Sequence, residues 1–259
     1  MTLLQILILG VVQGITEFLP VSSSGHLVVA QSLFRQLSGQ VWPDVVMVNV
    51  FLHLGTLAAI ILYYWRRIVL LLSKDRRVLL LLAVGTIPAV VVGLTLKRLA
   101  PEVLQSPLLS GFMFLLTGGL LIWGGRRDGK WDYEKMTLAQ AIGIGLFQAA
   151  GLLPGISRSG WTIAGAMLLG VRRESATTFS FLLAIPVIAG GSVLEIWDFS
   201  GSKEPISLFL LAAGAAIAFL VGLLSLWAVV RIVERGRLAW FACWLFPLGL
   251  GVIIWQLAL

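Results

Sequence analysis

The sequence predicts an all-α protein that crosses a membrane several times and is built from two related halves. Three observations carry that reading. Hydrophobic residues make up 59% of the 259 and charged residues only 12%, about half the ~25% of a soluble domain. Uncharged apolar runs recur, among them 78–96, 108–123 and 206–230, each near or above the roughly 17–25 residues that a helix needs to cross a hydrocarbon core. Finally, an apolar segment is interrupted twice by Pro and then Ser and Gly, at Pro20 and at Pro154. The alternating ten-residue segments of a membrane β-barrel are absent.

The elements follow in chain order. Pro removes a backbone donor, and non-helical backbone at membrane depth survives only when buried in protein or lining a wet cavity. The stretches 4–34 and 138–171 therefore read as re-entrant helix–loop–helix elements. Three spans follow each: about 45–65, 78–96 and 107–124, then about 177–197, 206–229 and 239–258. A shift of 135 places Leu9-Gly10-Val11-Val12-Gln13 on Ile144-Gly145-Leu146-Phe147-Gln148, and Ser22-Ser23-Ser24-Gly25 on Ser157-Arg158-Ser159-Gly160. The repeats cover about 1–125 and 137–259 of a single membrane domain, 1–259. Three spans per half make the second half inverted relative to the first, a plan that puts the functional site at the repeat interface. No cleavable signal peptide is expected, because 1–12 lacks a positive start.

Charge orients the chain. Fourteen of the 19 Lys and Arg residues fall in 66–77, 126–135, 172–173 and 231–237, against Arg35, Lys97, Arg98 and Lys203 on the other side. That bias places the first group in the cytoplasm and both termini away from it. It also accounts for the net charge of +7 without nucleic acid as a partner. The single Cys243 excludes a disulfide within one chain.

The chemistry concentrates in the two interruptions. Glu17 is a carboxylate at membrane depth, costly unless it faces a cavity with a function, and Gln13 shares its helix face. Such a carboxylate suits a general base or a ligand for a hard divalent cation. Ser22, Ser23 and Ser24 offer hydroxyls at a turn leading into a helix N-terminus, where anions bind. His26 can donate or accept a proton or take a phosphoryl group. The other histidine, His53, reads as an interhelical hydrogen-bonding group. Arg158 is the one basic residue well inside an apolar stretch; its planar fork suits phosphate, and Ser157, Ser159 and Thr162 surround it. One carboxylate, one imidazole, one guanidinium and many hydroxyls suit phosphoryl transfer by positioning and charge neutralisation.

Gln13-Gly14-Ile15-Thr16-Glu17-Phe18-Leu19-Pro20-Val21-Ser22-Ser23 with Gly25-His26, and Pro154-Gly155-Ile156-Ser157-Arg158-Ser159-Gly160-Trp161-Thr162, resemble the two motifs of the bacterial undecaprenyl-diphosphatase, or bacitracin-resistance, family. The span pattern extends the resemblance over the whole chain. It implies a hydrolase of the bacterial inner membrane that converts undecaprenyl diphosphate to undecaprenyl phosphate for cell-wall synthesis. It further implies a divalent cation, Mg2+ or Ca2+, a site open to the periplasmic or outer face, and a homodimer as a reasonable expectation. By position, Glu17, Ser23, His26 and Arg158 form the catalytic core, Ser22, Ser24, Ser157, Ser159 and Thr162 bind phosphate, and Glu17 with Gln13 holds the metal. Gln13 stands where many members have Glu, which weakens any scheme needing two carboxylates on the metal. The nucleophile stays open between Ser23, His26 and water. A lipid or ion transporter is the alternative that the inverted repeats invite. The type 2 phosphatidic-acid phosphatases are a weaker one, since no histidine follows Ser157-Arg158.

Overall fold

The computed structural model describes residues 2–38, 46–198 and 206–258, so Lys203 lies outside the described residues. The first interrupted segment folds as α1 (Leu3–Thr16) and α2 (Ser23–Ser38). Next come α3 (Val46–Tyr63), α4 (Trp65–Ser73), α5 (Arg76–Leu99) and α6 (Pro107–Gly125). The second interrupted segment is α7 (Leu138–Ala150) and α8 (Arg158–Leu168), followed by α9 (Arg173–Asp198), α10 (Leu208–Glu234) and α11 (Ala242–Leu257). Six of these elements are long and apolar enough to span a bilayer: α3, α5, α6, α9, α10, and α11 with the 3-10 turn before it. Large apolar side chains such as Leu80, Ile87, Val91, Leu224, Trp227 and Ile254 stand exposed on their outer faces. The protein is a multi-pass membrane protein.

The interrupted segments are helix pairs with arms too short to cross. At 1.5 Å per residue, the 14 residues of α1 reach about 21 Å and the 11 of α8 about 17 Å, against a ~30 Å hydrocarbon core. Both pairs start with the same capping box. Thr2 and Gln5 exchange side-chain and backbone hydrogen bonds at the head of α1, as Thr137 and Gln140 do at the head of α7, which are residues again 135 apart. The sequence reading differs from the structure at 66–77. Expected as a loop, this stretch holds most of α4 and the first residues of α5; Leu71 of α4 is buried while Val69, Leu70 and Leu72 stay exposed.

The halves pack by exchanging equivalent contacts. Gly10 of α1 meets α10 so closely that a Cβ there would lie 2.8 Å from the Gly214 carbonyl oxygen. Its counterpart Gly145 meets α5, where a Cβ would lie 2.4 Å from the Gly85 oxygen. Small residues permit such backbone approach between membrane helices. The turns interlock in the same way: a Cβ on Gly25 would lie 2.6 Å from Gly155 N, and one on Gly160 2.9 Å from the Pro20 Cβ. Gly155 has φ +90° and leaves a Cβ only 2.3 Å from the Ser110 oxygen. Gly155→Ala combines left-handed strain with a backbone clash and is expected to cost about 2–4 kcal/mol, read as a lowered unfolding temperature in detergent.

The basic loops gather at one end. Arg67 pairs with Glu134, Arg172 with Asp132, and Arg173 with Asp128, while Arg77 donates to the Glu134 and Met136 carbonyls. These contacts tie α4 and the starts of α5 and α9 to the segment between α6 and α7.

Candidate active site

Glu17 caps the end of α1, its backbone N–H still donating to the Gln13 carbonyl at 3.0 Å. Its side chain is buried, and each oxygen has a distinct set of partners. Oε1 accepts from Arg158 Nη2 at 2.7 Å. Oε2 accepts from Ser23 Oγ and from Gln13 Nε2, both at 3.1 Å. The second terminal nitrogen of Arg158, Nη1, is buried and has no hydrogen-bond partner among the described residues. A buried donor in that condition is costly unless something else meets it.

Ser23 and Arg158 are the first residues of α2 and α8, at equivalent positions of the two hairpins. The residues around them repeat as well. Ser22 Oγ accepts from Gly25 N at 3.2 Å, and Ser157 Oγ from Gly160 N at 3.2 Å. The Ser22 and Ser24 hydroxyls lie 3.4 Å apart, those of Ser157 and Ser159 3.2 Å apart. Crossing bonds tie the turns together: Gly155 N donates to Ser22 Oγ at 3.1 Å and Ser159 Oγ to the Leu19 carbonyl at 3.3 Å. Ser22 sits at φ +69°, a left-handed conformation uncommon for a non-glycine residue that these bonds hold in place. Two helix N-termini thus converge on one carboxylate, and their free N–H groups and dipoles favour an anion.

Glu17, Ser22, Ser23, Ser24, Ser157, Arg158 and Ser159 line a cavity of about 900 Å³. Its walls include the apolar Leu27, Val28, Ile156 and Ile188, and Arg35, Gln105 and Glu195 also line it. Those three lie near the end of α2, the start of α6 and the end of α9, away from the basic loops.

The chain matches the family profile described as Bacitracin resistance protein BacA over residues 6–251. The chain belongs to this family. Among its relatives is a protein of Rhodopirellula baltica named undecaprenyl-diphosphatase, 48% identical over 98% of each chain. One of the same name from Carboxydothermus hydrogenoformans is 37% identical over 98% of this chain and 97% of the relative. Undecaprenyl-diphosphatase 3 of Bacillus cereus is 37% identical over 99% and 98%. These names are those of phosphatases, and the transporter alternative is not favoured.

Within this family frame, two expected site residues, His26 and Thr162, and two unexpected ones need separate description. His26 is not brought to the carboxylate. Its Nδ1 lies 2.7 Å from the Ser22 carbonyl, and Trp244 Nε1 donates to its Nε2 at 3.0 Å. The ring packs edge-on against Phe114 and parallel to Trp244, so it fastens α2 to α6 and α11 rather than facing the cavity. Thr162 is likewise absent from the cavity wall. Its hydroxyl donates to the Arg158 carbonyl at 2.8 Å and pairs with Ser180, steadying the first turn of α8. Conversely, His53 reaches the site: its Nε2 lies 3.7 Å from Glu17 Oε2, and it lines the cavity together with Asn49. A polar residue on an apolar helix was the signal for His53, but the pattern did not say which way it faces. Thr117 had no signal at all. From α6 it donates to the Gly155 carbonyl and accepts from Ser157 N and Trp161 Nε1, pinning the second turn.

No three His, Cys, Asp or Glu side chains converge as a metal cage among the described residues. A hard divalent cation is nonetheless often held by one or two carboxylates plus substrate phosphates. Glu17 with the neighbouring Gln13 amide fits that mode, in which a diphosphate supplies the remaining oxygens.

Proposed function

We propose that the chain hydrolyses undecaprenyl diphosphate to undecaprenyl phosphate and inorganic phosphate, recycling the lipid carrier of cell-wall polymer synthesis. The observation that carries the reading is Arg158, with one nitrogen held by Glu17 and the other buried without a partner beside a hydroxyl bonded to the same carboxylate. A terminal phosphoryl group satisfies that free donor and lies within reach of the Ser23 oxygen. The apolar cavity walls suit an isoprenoid chain.

In this reading Ser23 Oγ attacks the terminal phosphorus while its proton passes to Glu17 Oε2. The bond from phosphorus to the bridging oxygen breaks, and undecaprenyl phosphate leaves with the electron pair. Water then attacks the phosphoserine and gives a proton to Glu17 as the one Glu17 held returns to Ser23 Oγ; inorganic phosphate departs with the proton from water, which restores the Glu17 carboxylate. Arg158, the α2 and α8 N-termini and the hydroxyls of Ser22, Ser24 and Ser157 stabilise the equatorial charge, while Ser159, whose proton is engaged by the Leu19 carbonyl, braces the two turns. Gln13 orients Glu17 through its hydrogen bond to Oε2. A divalent cation bound by Glu17 and Gln13 would supply further neutralisation of the diphosphate. His26 and Thr162 act through the helices that they fasten.

The test is phosphate release from undecaprenyl diphosphate by purified protein in detergent. Glu17→Gln is expected to lower kcat by about 10²–10⁴; unchanged release by this variant counts against the site. Chelation of divalent cations is expected to abolish release, and their return to restore it.

Orientation belongs to the same proposal. The basic end faces the cytoplasm, so the cavity opens toward the outer face of the bacterial inner membrane, and both termini lie on that side. A homodimer is proposed with it, read out by mass measurement of the protein in native-like lipid discs.

A further inference from the structure

The carboxylate at the centre of the site is approached from another side by a residue that the proposed chemistry does not use. His53 lies on α3, outside both hairpins. Its Nδ1 is 2.8 Å from the carbonyl oxygen of Asn49, one turn earlier on the same helix. That oxygen can only accept, so Nδ1 carries a proton, and in the neutral imidazole Nε2 is the nitrogen that presents a lone pair. Nε2 faces Glu17 Oε2 across 3.7 Å, too far for a hydrogen bond. Two potential donors to a metal thus look at each other across a gap, on the wall of a cavity that they share with Ser23 and Arg158.

The details match what a metal requires of a histidine. Ligating imidazoles typically donate their remote N–H to a backbone carbonyl or carboxylate, which fixes tautomer and ring direction. With metal–donor distances near 2.1 Å, a nitrogen and an oxygen so spaced subtend an angle on the order of 120° at one ion. Glu17 offers Oε2 for this purpose because Arg158 is bonded to Oε1. The ion takes the place of the hydrogen bond that Oε2 now accepts from Gln13, whose amide oxygen can then turn to the ion, and the bond from Ser23 is kept. A single carboxylate leaves the site short of protein donors, and an imidazole nitrogen supplies one.

We infer that His53 Nε2 and Glu17 Oε2 together bind a divalent cation, completed by phosphate oxygens of the substrate. The inference rests on the phosphatase reading for those last ligands. It also gives the site a preference. An imidazole nitrogen favours a later first-row ion such as Zn2+ over Ca2+, which takes oxygen donors, and Mn2+ serves as the spectroscopic stand-in.

The test reads the metal directly. Full-length protein purified through a histidine-free tag is titrated with Mn2+, with and without methylenediphosphonate, and followed by electron paramagnetic resonance. Pulsed measurements then search for nitrogen coupled to the bound ion. The chain contains only two histidines, so the assignment is direct. Bound Mn2+ is expected to show a ¹⁴N coupling that is replaced by ¹⁵N when the protein is labelled with ¹⁵N-histidine, a result that needs no variant. His53→Gln is expected to remove the coupling and to weaken Mn2+ binding at least about tenfold, whereas His26→Gln retains the coupling. Mn2+ bound without histidine nitrogen in either condition, no bound Mn2+ at all, or a coupling lost in His26→Gln but kept in His53→Gln overturns the inference. Phosphate release measured on the same preparation separates the two readings. Release without nitrogen-coupled Mn2+ sinks only the metal assignment, and nitrogen-coupled Mn2+ without release sinks the phosphatase.

Discussion

Arg158→Ala is expected to lower kcat/KM for undecaprenyl diphosphate by about 10³–10⁵, the range associated with an arginine that stabilises a transferring phosphoryl group. Two losses combine. The free Nη1 donor disappears, and Glu17 is left buried without the guanidinium that now meets Oε1 at 2.7 Å. Removing one partner of a buried pair leaves an uncompensated charge and costs about 3–5 kcal/mol, so the variant is also expected to unfold at lower temperature. Arg158→Lys separates the effects. It retains a positive charge near Glu17 but cannot contact carboxylate and phosphate through one planar fork. Its stability is expected to lie near that of the parent while most of the activity loss remains. If Arg158→Lys turns over at the parent rate, the fork geometry is not what the site uses.

Ser23→Ala is expected to reduce kcat at least about a thousandfold with little change in KM, because in the proposed mechanism the nucleophile is lost while the phosphate donors stay. The hydroxyl donates to Glu17 Oε2 at 3.1 Å, and Gln13 still steadies the carboxylate without it. Rapid acid quench of the parent enzyme with terminally labelled substrate should trap label on the protein, and none on Ser23→Ala. If Ser23→Ala instead retains a tenth or more of the parent rate, water is the nucleophile and Glu17 activates it directly.

Much of this architecture is legible in the amino-acid order. Spans are announced by uncharged apolar runs, because lipid tolerates little else over that length. The hairpins are announced by Pro20 and Pro154 with the hydroxyls after them, because broken backbone must be sheltered. The repeat shift reaches down to single contacts: it predicts equivalent places for Ser23 and Arg158, which the structure sets at the first turns of α2 and α8. It also relates Gly10 to Gly145, each seated against the opposite half. The meeting of Glu17 with Arg158 follows from the cost of leaving either charge alone in an apolar interior.

Rotation of each helix about its own axis was not legible. In a water-soluble protein the alternation of polar and apolar residues marks the inward face. In a bilayer both faces are apolar, so the pattern around His26 and His53 carries little direction. Tertiary packing decided that His26 turns toward Trp244 and Phe114 while His53 turns toward Glu17. It likewise committed the Thr162 hydroxyl to its own helix and Ser180 and brought Thr117 in from α6 to hold the second turn. The sequence by itself determined the membrane, the two sheltered hairpins and the charged residues that must meet. Only the docking of one hairpin turn onto the other decided which neutral groups face them, because side-chain direction in an all-apolar setting is set by contacts between helices.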